Sequence, residues 1–238
     1  MIISLEVKRI QRDSLLLLIC FIPIMIALVI RFLLPVLADF LQTRFAFDLT
    51  PLYPLIMSLF LMMASGAIGM VTGLNLLDER DERTLLAMAV TPVSLQTYIL
   101  IRVGLAMMLG LILTVIGYPL AGLSPLPLGW VVLIAAFGSF AAPFMALLLA
   151  VVAENKVTGF AMIKLLNTLM MIPIAMYFVE SGWQILAGII PTYWILKVYW
   201  LLSDGAGFGM VAPYLLMGLL VNVAWVGYLL RRLNRMVI

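Results

Sequence analysis

Apolar residues run along this chain almost without interruption, and polar residues gather in short breaks between the runs. Crossing the hydrocarbon core as a helix takes about 20 such residues, because backbone groups in lipid must find their hydrogen bonds within the segment. Six runs are long enough: Ser14 to Val36, Tyr53 to Leu76, Pro92 to Ala121, Gly129 to Ala153, Thr158 to Val179 and Val211 to Leu230. Their ends carry helix punctuation. Pro51 and Pro54 open the second run, Pro125 and Pro127 precede the fourth, and Thr91 with Pro92 reads as N-cap and first helical residue of the third. The pattern predicts an all-α integral membrane protein of six transmembrane helices, with residues 1–238 forming one transmembrane domain.

Two segments depart from simple spans. In Met1 to Asp13, Ile3, Val7 and Ile10 fall at helical spacing beside Glu6, Arg9 and Asp13, which suits an N-terminal amphipathic helix lying on the inner leaflet or a basic end that only sets topology. Between the fifth and sixth runs, Trp183 to Leu202 is apolar but broken by Pro191, and a full crossing would put the following elements on the wrong side. Re-entrant half-helices, covered by other helices, fit better.

Composition agrees with a bilayer protein: 66% hydrophobic and 11% charged, with mean hydropathy +1.23, against roughly 25% charged in soluble domains. Lys8, Arg9, Arg12, Arg80, Arg83, Arg102, Lys156, Lys164, Arg231, Arg232 and Arg235 fall on one side of the predicted topology, and only Arg31, Arg44 and Lys197 on the other. The excess of basic residues marks the cytoplasmic side, so both termini are expected in the cytoplasm and the first span is read as a retained anchor in the cell membrane. Cys20 is the only cysteine and there is no histidine, which removes intrachain disulfides, His-based metal sites and Ser-His catalysis.

Small residues recur at every fourth position: Ser65, Gly69 and Gly73; Ala106, Gly110 and Thr114; Gly138, Ala142, Ala146 and Ala150. Such ladders let helix backbones approach closely in lipid, within a chain or at the seam of a dimer. Met62, Met63, Met107, Met108, Met170 and Met171 could line an adaptable apolar pathway.

The densest charge is Asp78-Glu79-Arg80-Asp81-Glu82-Arg83, followed by Thr84 and Leu85, between the second and third runs. Glu79 stands four residues before Arg83, a spacing that favours a helical ion pair, and Pro92 ends the element. This predicts a short amphipathic helix over Asp78 to Thr91, though the charges could equally be a solvated, topology-setting loop.

From Glu82-Arg83-Thr84-Leu85 through Leu86 to Val90, Thr91-Pro92-Val93-Ser94 and then Arg102, the chain resembles the permease subunits of type-2 ABC exporters. Arg83 stands where those permeases usually have glycine, and Ile101 where a glycine often precedes the basic residue. Pro191-Thr192-Tyr193-Trp194 followed by Lys197 is similar to a second signature of the same family, in its re-entrant helices. The resemblance implies that Asp78 to Leu85, with Thr91 and Pro92, form a cytosolic coupling helix that docks on an ATPase subunit. It further implies an outer gate near Glu180, Pro191, Tyr193 and Lys197, where snorkelling is an adequate alternative for the two charges.

No lysine follows a glycine, so the chain has no phosphate-binding loop. No cofactor is expected in it; ATP and Mg²⁺ would be bound by the partner ATPase, and the other partners expected are a second permease copy or a related permease and membrane lipids, not nucleic acid. Apolar spans with few buried charges suit a hydrophobic or amphipathic cargo such as a drug, lipid or peptide. Two other functions stay open. One is a lipid-modifying enzyme holding Mg²⁺ on Asp78, Asp81 and Glu82, although Arg80 and Arg83 would repel the metal; the other is a secondary transporter, although no mid-depth carboxylate is evident.

Overall fold

The computed structural model describes residues 14–85, 94–179 and 181–237; the N-terminal lead, Thr91, Pro92 and Glu180 lie outside the described residues. Among the described residues the helices are α1 (Ser14–Phe45), α2 (Tyr53–Asp81), α3 (Leu95–Ala121), α4 (Leu128–Gly138), α5 (Ala141–Val152), α6 (Lys156–Ala175), α7 (Thr192–Ser203) and α8 (Phe208–Val237), with the 3-10 helix Gly182–Ile189 before α7. The described residues contain no strand. Among the described residues six helical stretches are long and apolar enough to cross a membrane, with α4 and α5 together making the fourth.

The fourth stretch is interrupted at Ser139–Phe140. Pro143 has no N–H for the Ser139 carbonyl and its ring crowds that group. The chain tightens locally, Ala142 donating to the Ser139 carbonyl at 3.1 Å. The start of α3 also differs from expectation: its N-cap is Ser94, whose hydroxyl accepts from the Thr97 N–H at 3.2 Å, rather than Thr91. Ser94 is extended while the next residue is helical, the geometry of a capping residue.

Burial is uneven in the way lipid predicts. In its most apolar window α2 is 72% buried, whereas α1 and α8 are each 17% buried and expose Phe21, Phe32, Leu216 and Leu220. The centre of the bundle is α2 packed between α5 and α3, and the small-residue ladders make it possible. A Cβ on Gly69 would lie 2.4 Å from the Ala142 carbonyl oxygen, one on Gly73 would lie 2.9 Å from that of Ala146, and one on Gly110 would meet Ser65 Oγ at 2.7 Å. These faces are consumed inside the chain, since Ser65, Ala142 and Ala146 are fully buried. They do not form the dimer seam that such ladders could have supplied. Gly138 sits more loosely, an added Cβ meeting Ile195 at 3.6 Å.

After α6 the chain folds as the short 3-10 helix and α7, separated at Ile190–Pro191 as Pro191 predicts. Indole N–H groups tie the pair down: Trp194 to the Gly188 carbonyl at 2.8 Å, Trp200 to Ser58 Oγ at 2.7 Å, and Trp225 of α8 to the Ile189 carbonyl at 2.9 Å. Gly205, at φ 84°, then closes α7: its N–H bonds the Leu202 carbonyl and that of Ala206 the Leu201 carbonyl, a left-handed cap that favours glycine.

Candidate functional site

The charged residues are not a separate helix at their start. No glycine or proline interrupts α2 after Gly73, so its hydrogen bonding continues through Asp78 to Asp81 and ends with the Glu82 N–H on the Asp78 carbonyl at 2.9 Å. Arg83 then leaves the helix at φ 58°, in the left-handed region that favours glycine. The Glu79–Arg83 pair expected from spacing is therefore replaced. Glu79, 3% exposed, forms an ion pair with Arg102 of α3, itself 6% exposed, and accepts from Tyr98 Oη at 3.1 Å on each carboxylate oxygen. Arg102 also donates to Tyr98 Oη at 3.3 Å and lies over its ring, 5.9 Å from the centroid. Tyr98 and Arg102 are one helical turn apart, so α3 presents them side by side.

The neighbouring charges reach the other way, to the turn joining α5 and α6. Arg80 donates to the carbonyls of Ala150 at 2.7 Å and of Ala153 and Glu154 at 2.6 Å. These include carbonyls left without helical partners where α5 ends, at the negative pole of its dipole. Asp78 forms an ion pair with Lys156, and Asp81 accepts from the Lys156 backbone N–H at 3.1 Å. Lys156 is the first residue of α6, so both carboxylates stand at the positive pole of that helix. Asn155 and Thr158 complete the start of α6 with reciprocal capping bonds. One turn of α2 thus supplies a cation to a helix end and anions to a helix start. Glu82, Arg83 and Thr84 are left exposed, and Leu85 is buried.

About 14 Å along α2 from Glu79, at Met70, the same helices enclose a cavity. It has a volume of about 160 Å³ and is walled by Met62, Met63 and Met70 of α2, Met145 of α5, and Met170 and Met171 of α6. Polar groups enter at two points, Asn167 of α6 and Thr192 of α7, and the Thr192 hydroxyl donates to Met170 Sδ at 3.5 Å. Four of the methionines picked out by sequence thus meet here. Met107 and Met108 do not, and Met108 is exposed on α3.

The remaining predicted positions are separate from both regions. Pro191 and Tyr193 are buried at the start of α7, and Lys197 donates to Gln184 Oε1 at 2.8 Å. Sequence reasoning did not find Tyr98, nor the role of Arg80 as a helix-end cap. The turn-spaced Tyr98 and Arg102 near the polar start of an apolar run were the available signal.

A protein-family profile described as "Fluoroquinolones export permease protein Rv2686c-like" matches residues 6–230. Two relatives, the "Fluoroquinolones export permease protein MT2760" of Mycobacterium tuberculosis (strain CDC 1551 / Oshkosh) and the "Fluoroquinolones export permease protein Rv2686c" of Mycobacterium tuberculosis (strain ATCC 25618 / H37Rv), are each 32% identical over 230 residues, covering 95% of this chain and 90% of theirs. No solved structure matches.

Proposed function

Since the chain belongs to the Rv2686c-like family of fluoroquinolone export permeases, we propose that it is the multi-pass membrane subunit of an ATP-driven exporter, with both termini in the cytoplasm and a separate ATPase binding ATP and Mg²⁺. The observation that carries this reading is the anchoring of the exposed Glu82-Arg83-Thr84 segment. Glu79–Arg102 joins α2 to α3 beside it, while Arg80, Asp78 and Asp81 join α2 to the ends of α5 and α6. A partner pressing on this segment displaces four helices together, and three of them wall the methionine cavity. That is the mechanical requirement of an ATPase docking site.

The cargo we assign is a planar aromatic, amphipathic drug of the fluoroquinolone class. Methionine walls adapt to such a ring and attract its edge through sulfur, and Asn167 and Thr192 offer hydrogen bonds to its polar groups. Drug-sized pockets run from about 300 Å³ upward, so the 160 Å³ of one chain amounts to about half a site. Lys164, Asn167 and Thr168 are exposed on α6 within an apolar span, where polar groups are costly in lipid. A second permease copy seated against α6 covers them and completes the pathway. Glu180 and Lys197 would then lie toward the outer exit, with the 3-10 helix and α7 as re-entrant elements.

The test uses the chain co-reconstituted in proteoliposomes with its ATPase. A fluoroquinolone should stimulate ATP hydrolysis, and exchanging Glu82-Arg83-Thr84 for Gly-Ser-Gly should lower both ATPase capture and stimulation. Robust hydrolysis by the purified chain alone, or full stimulation in the exchanged variant, contradicts the proposal.

A further inference from the structure

Where α8 leaves its apolar span it passes the first turn of α3, and a cavity of about 460 Å³ opens between them, lined by Gln96, Arg231, Asn234 and Arg235. Arg231 and Arg235 are one turn apart on one face of α8, both exposed, and neither makes an ion pair among the described residues. Like charges at that spacing repel. Among the described residues no carboxylate lines the cavity to offset them. Arg232, between them in sequence, lies outside it and donates to Tyr228 Oη at 3.2 Å. The N-terminal turn of α3 adds the positive pole of a helix, and Gln96 and Asn234 add amide donors.

We propose that this cavity holds the phosphate of an anionic phospholipid headgroup, between Arg231 and Arg235 with Gln96 and Asn234 beside it. Two cations one turn apart can share one phosphate, which removes their repulsion. Lipid is the source because the cavity lies where two apolar spans end, Leu95–Ala121 and Phe208–Met236, and exposed Leu100 stands one turn into the span from Gln96. Basic pockets between spans at a membrane surface recognise anionic headgroups in this way. Arg231 and Arg235 are remote in sequence from the ATPase-facing segment, which Gln96 follows closely, and from the methionine cavity, and the proposal does not depend on what the protein exports.

The experiment is lipid retention by the purified full-length chain, measured by native mass spectrometry after equilibration with phosphatidylglycerol or phosphatidylcholine. Wild type should retain phosphatidylglycerol in preference by about tenfold, and Arg231→Gln with Arg235→Gln should bring the ratio near unity. Arg232→Gln should leave it unchanged. Should the double variant not fold, Gln96→Glu, which places a carboxylate in the cavity, should give the same loss. A preference that survives both the double variant and Gln96→Glu overturns the site, and displacement of the lipid by millimolar glycerol phosphate overturns its assignment to a membrane lipid.

Discussion

At the charged end of α2 each ionic side chain from Asp78 to Asp81 has a partner on another helix, whereas one to two dozen ångströms along the same helix the walls are methionines held by packing and one weak bond from Thr192. The two regions share α2, α5 and α6 but ask opposite things of them. On the proposed function the first would have to hold its shape when pushed, and the buried Glu79–Arg102 pair resists displacement. The second would have to accept a cargo, and unbranched thioether side chains repack at little cost. Damage at the first should therefore appear in stability, and damage at the second in function.

The largest effect is expected at Glu79–Arg102. Replacing Arg102 by Ala removes the cation paired with the buried Glu79 carboxylate, which costs about 3–5 kcal/mol in comparable buried pairs. Replacing both, Glu79→Gln with Arg102→Met, removes the stranded charge and should recover most of that loss. Thermal unfolding of the purified variants reads the difference directly. Equal melting points for the single and double variants would show that the pair braces nothing beyond its own packing.

Next in size is the seam that carries the brace toward the cavity. Gly69→Ala puts a methyl against the Ala142 backbone, and overpacking of this kind costs about 1–3 kcal/mol. Gly66, one turn of α2 away on the cavity wall, has nothing within 4 Å of an added Cβ. Gly66→Ala should then be neutral or stabilising by up to about 1 kcal/mol while narrowing the cavity. Melting curves for the two alanine variants should move in opposite directions; movement together would erase the contrast between seam and cavity.

What could be read in advance follows the same division. The spans were legible because lipid requires each crossing to satisfy its own backbone, leaving apolar runs of diagnostic length. The break at Pro191 and the ladders Ser65-Gly69-Gly73 and Ala142-Ala146 were legible because proline chemistry and close helix packing are local. Their pairing with each other was not, since one face cannot name its partner. The ionic network was misread for a related reason: Arg83 offered Glu79 a partner four residues away, while the real one lies on the next span. Arg80 looked like a surface charge because the α5 carbonyls it caps are 70 or more positions along the chain. The methionines were visible as a group, but only folding separates Met62 and Met170 from Met107.

A smaller stability effect, and a larger functional one, is expected within the cavity. Met62→Leu and Met170→Leu nearly conserve volume, and such exchanges usually cost less than about 1.5 kcal/mol. They remove the sulfur and stiffen the wall. Melting points should barely move while fluoroquinolone-stimulated ATP hydrolysis falls severalfold in proteoliposomes containing the ATPase. Unchanged stimulation would remove the cavity from the transport pathway while leaving the charged end untouched.

The smallest effect concerns the one residue of the charged end that works against its own backbone. Arg83 follows the last residues of α2 at φ 58°, its N–H bonded to the Arg80 carbonyl at 3.0 Å, the position where a helix usually stops on glycine. Gly205 does so after α7 at φ 84°, without a Cβ to accommodate. A non-glycine residue in this region costs roughly 1–2 kcal/mol, partly offset because glycine loses more entropy on folding. Arg83→Gly should therefore raise stability by about 1 kcal/mol or less, seen as a small upward shift in melting point. Arg83 is also exposed and carries charge into the segment assigned to the ATPase, so the same variant should weaken ATPase capture if that charge is used in docking. Arg83→Asn separates the two effects, since asparagine tolerates the left-handed region better than arginine and also removes the charge. Matching loss of capture in both variants assigns it to the guanidinium, whereas loss in Arg83→Gly alone assigns it to the added freedom of the turn.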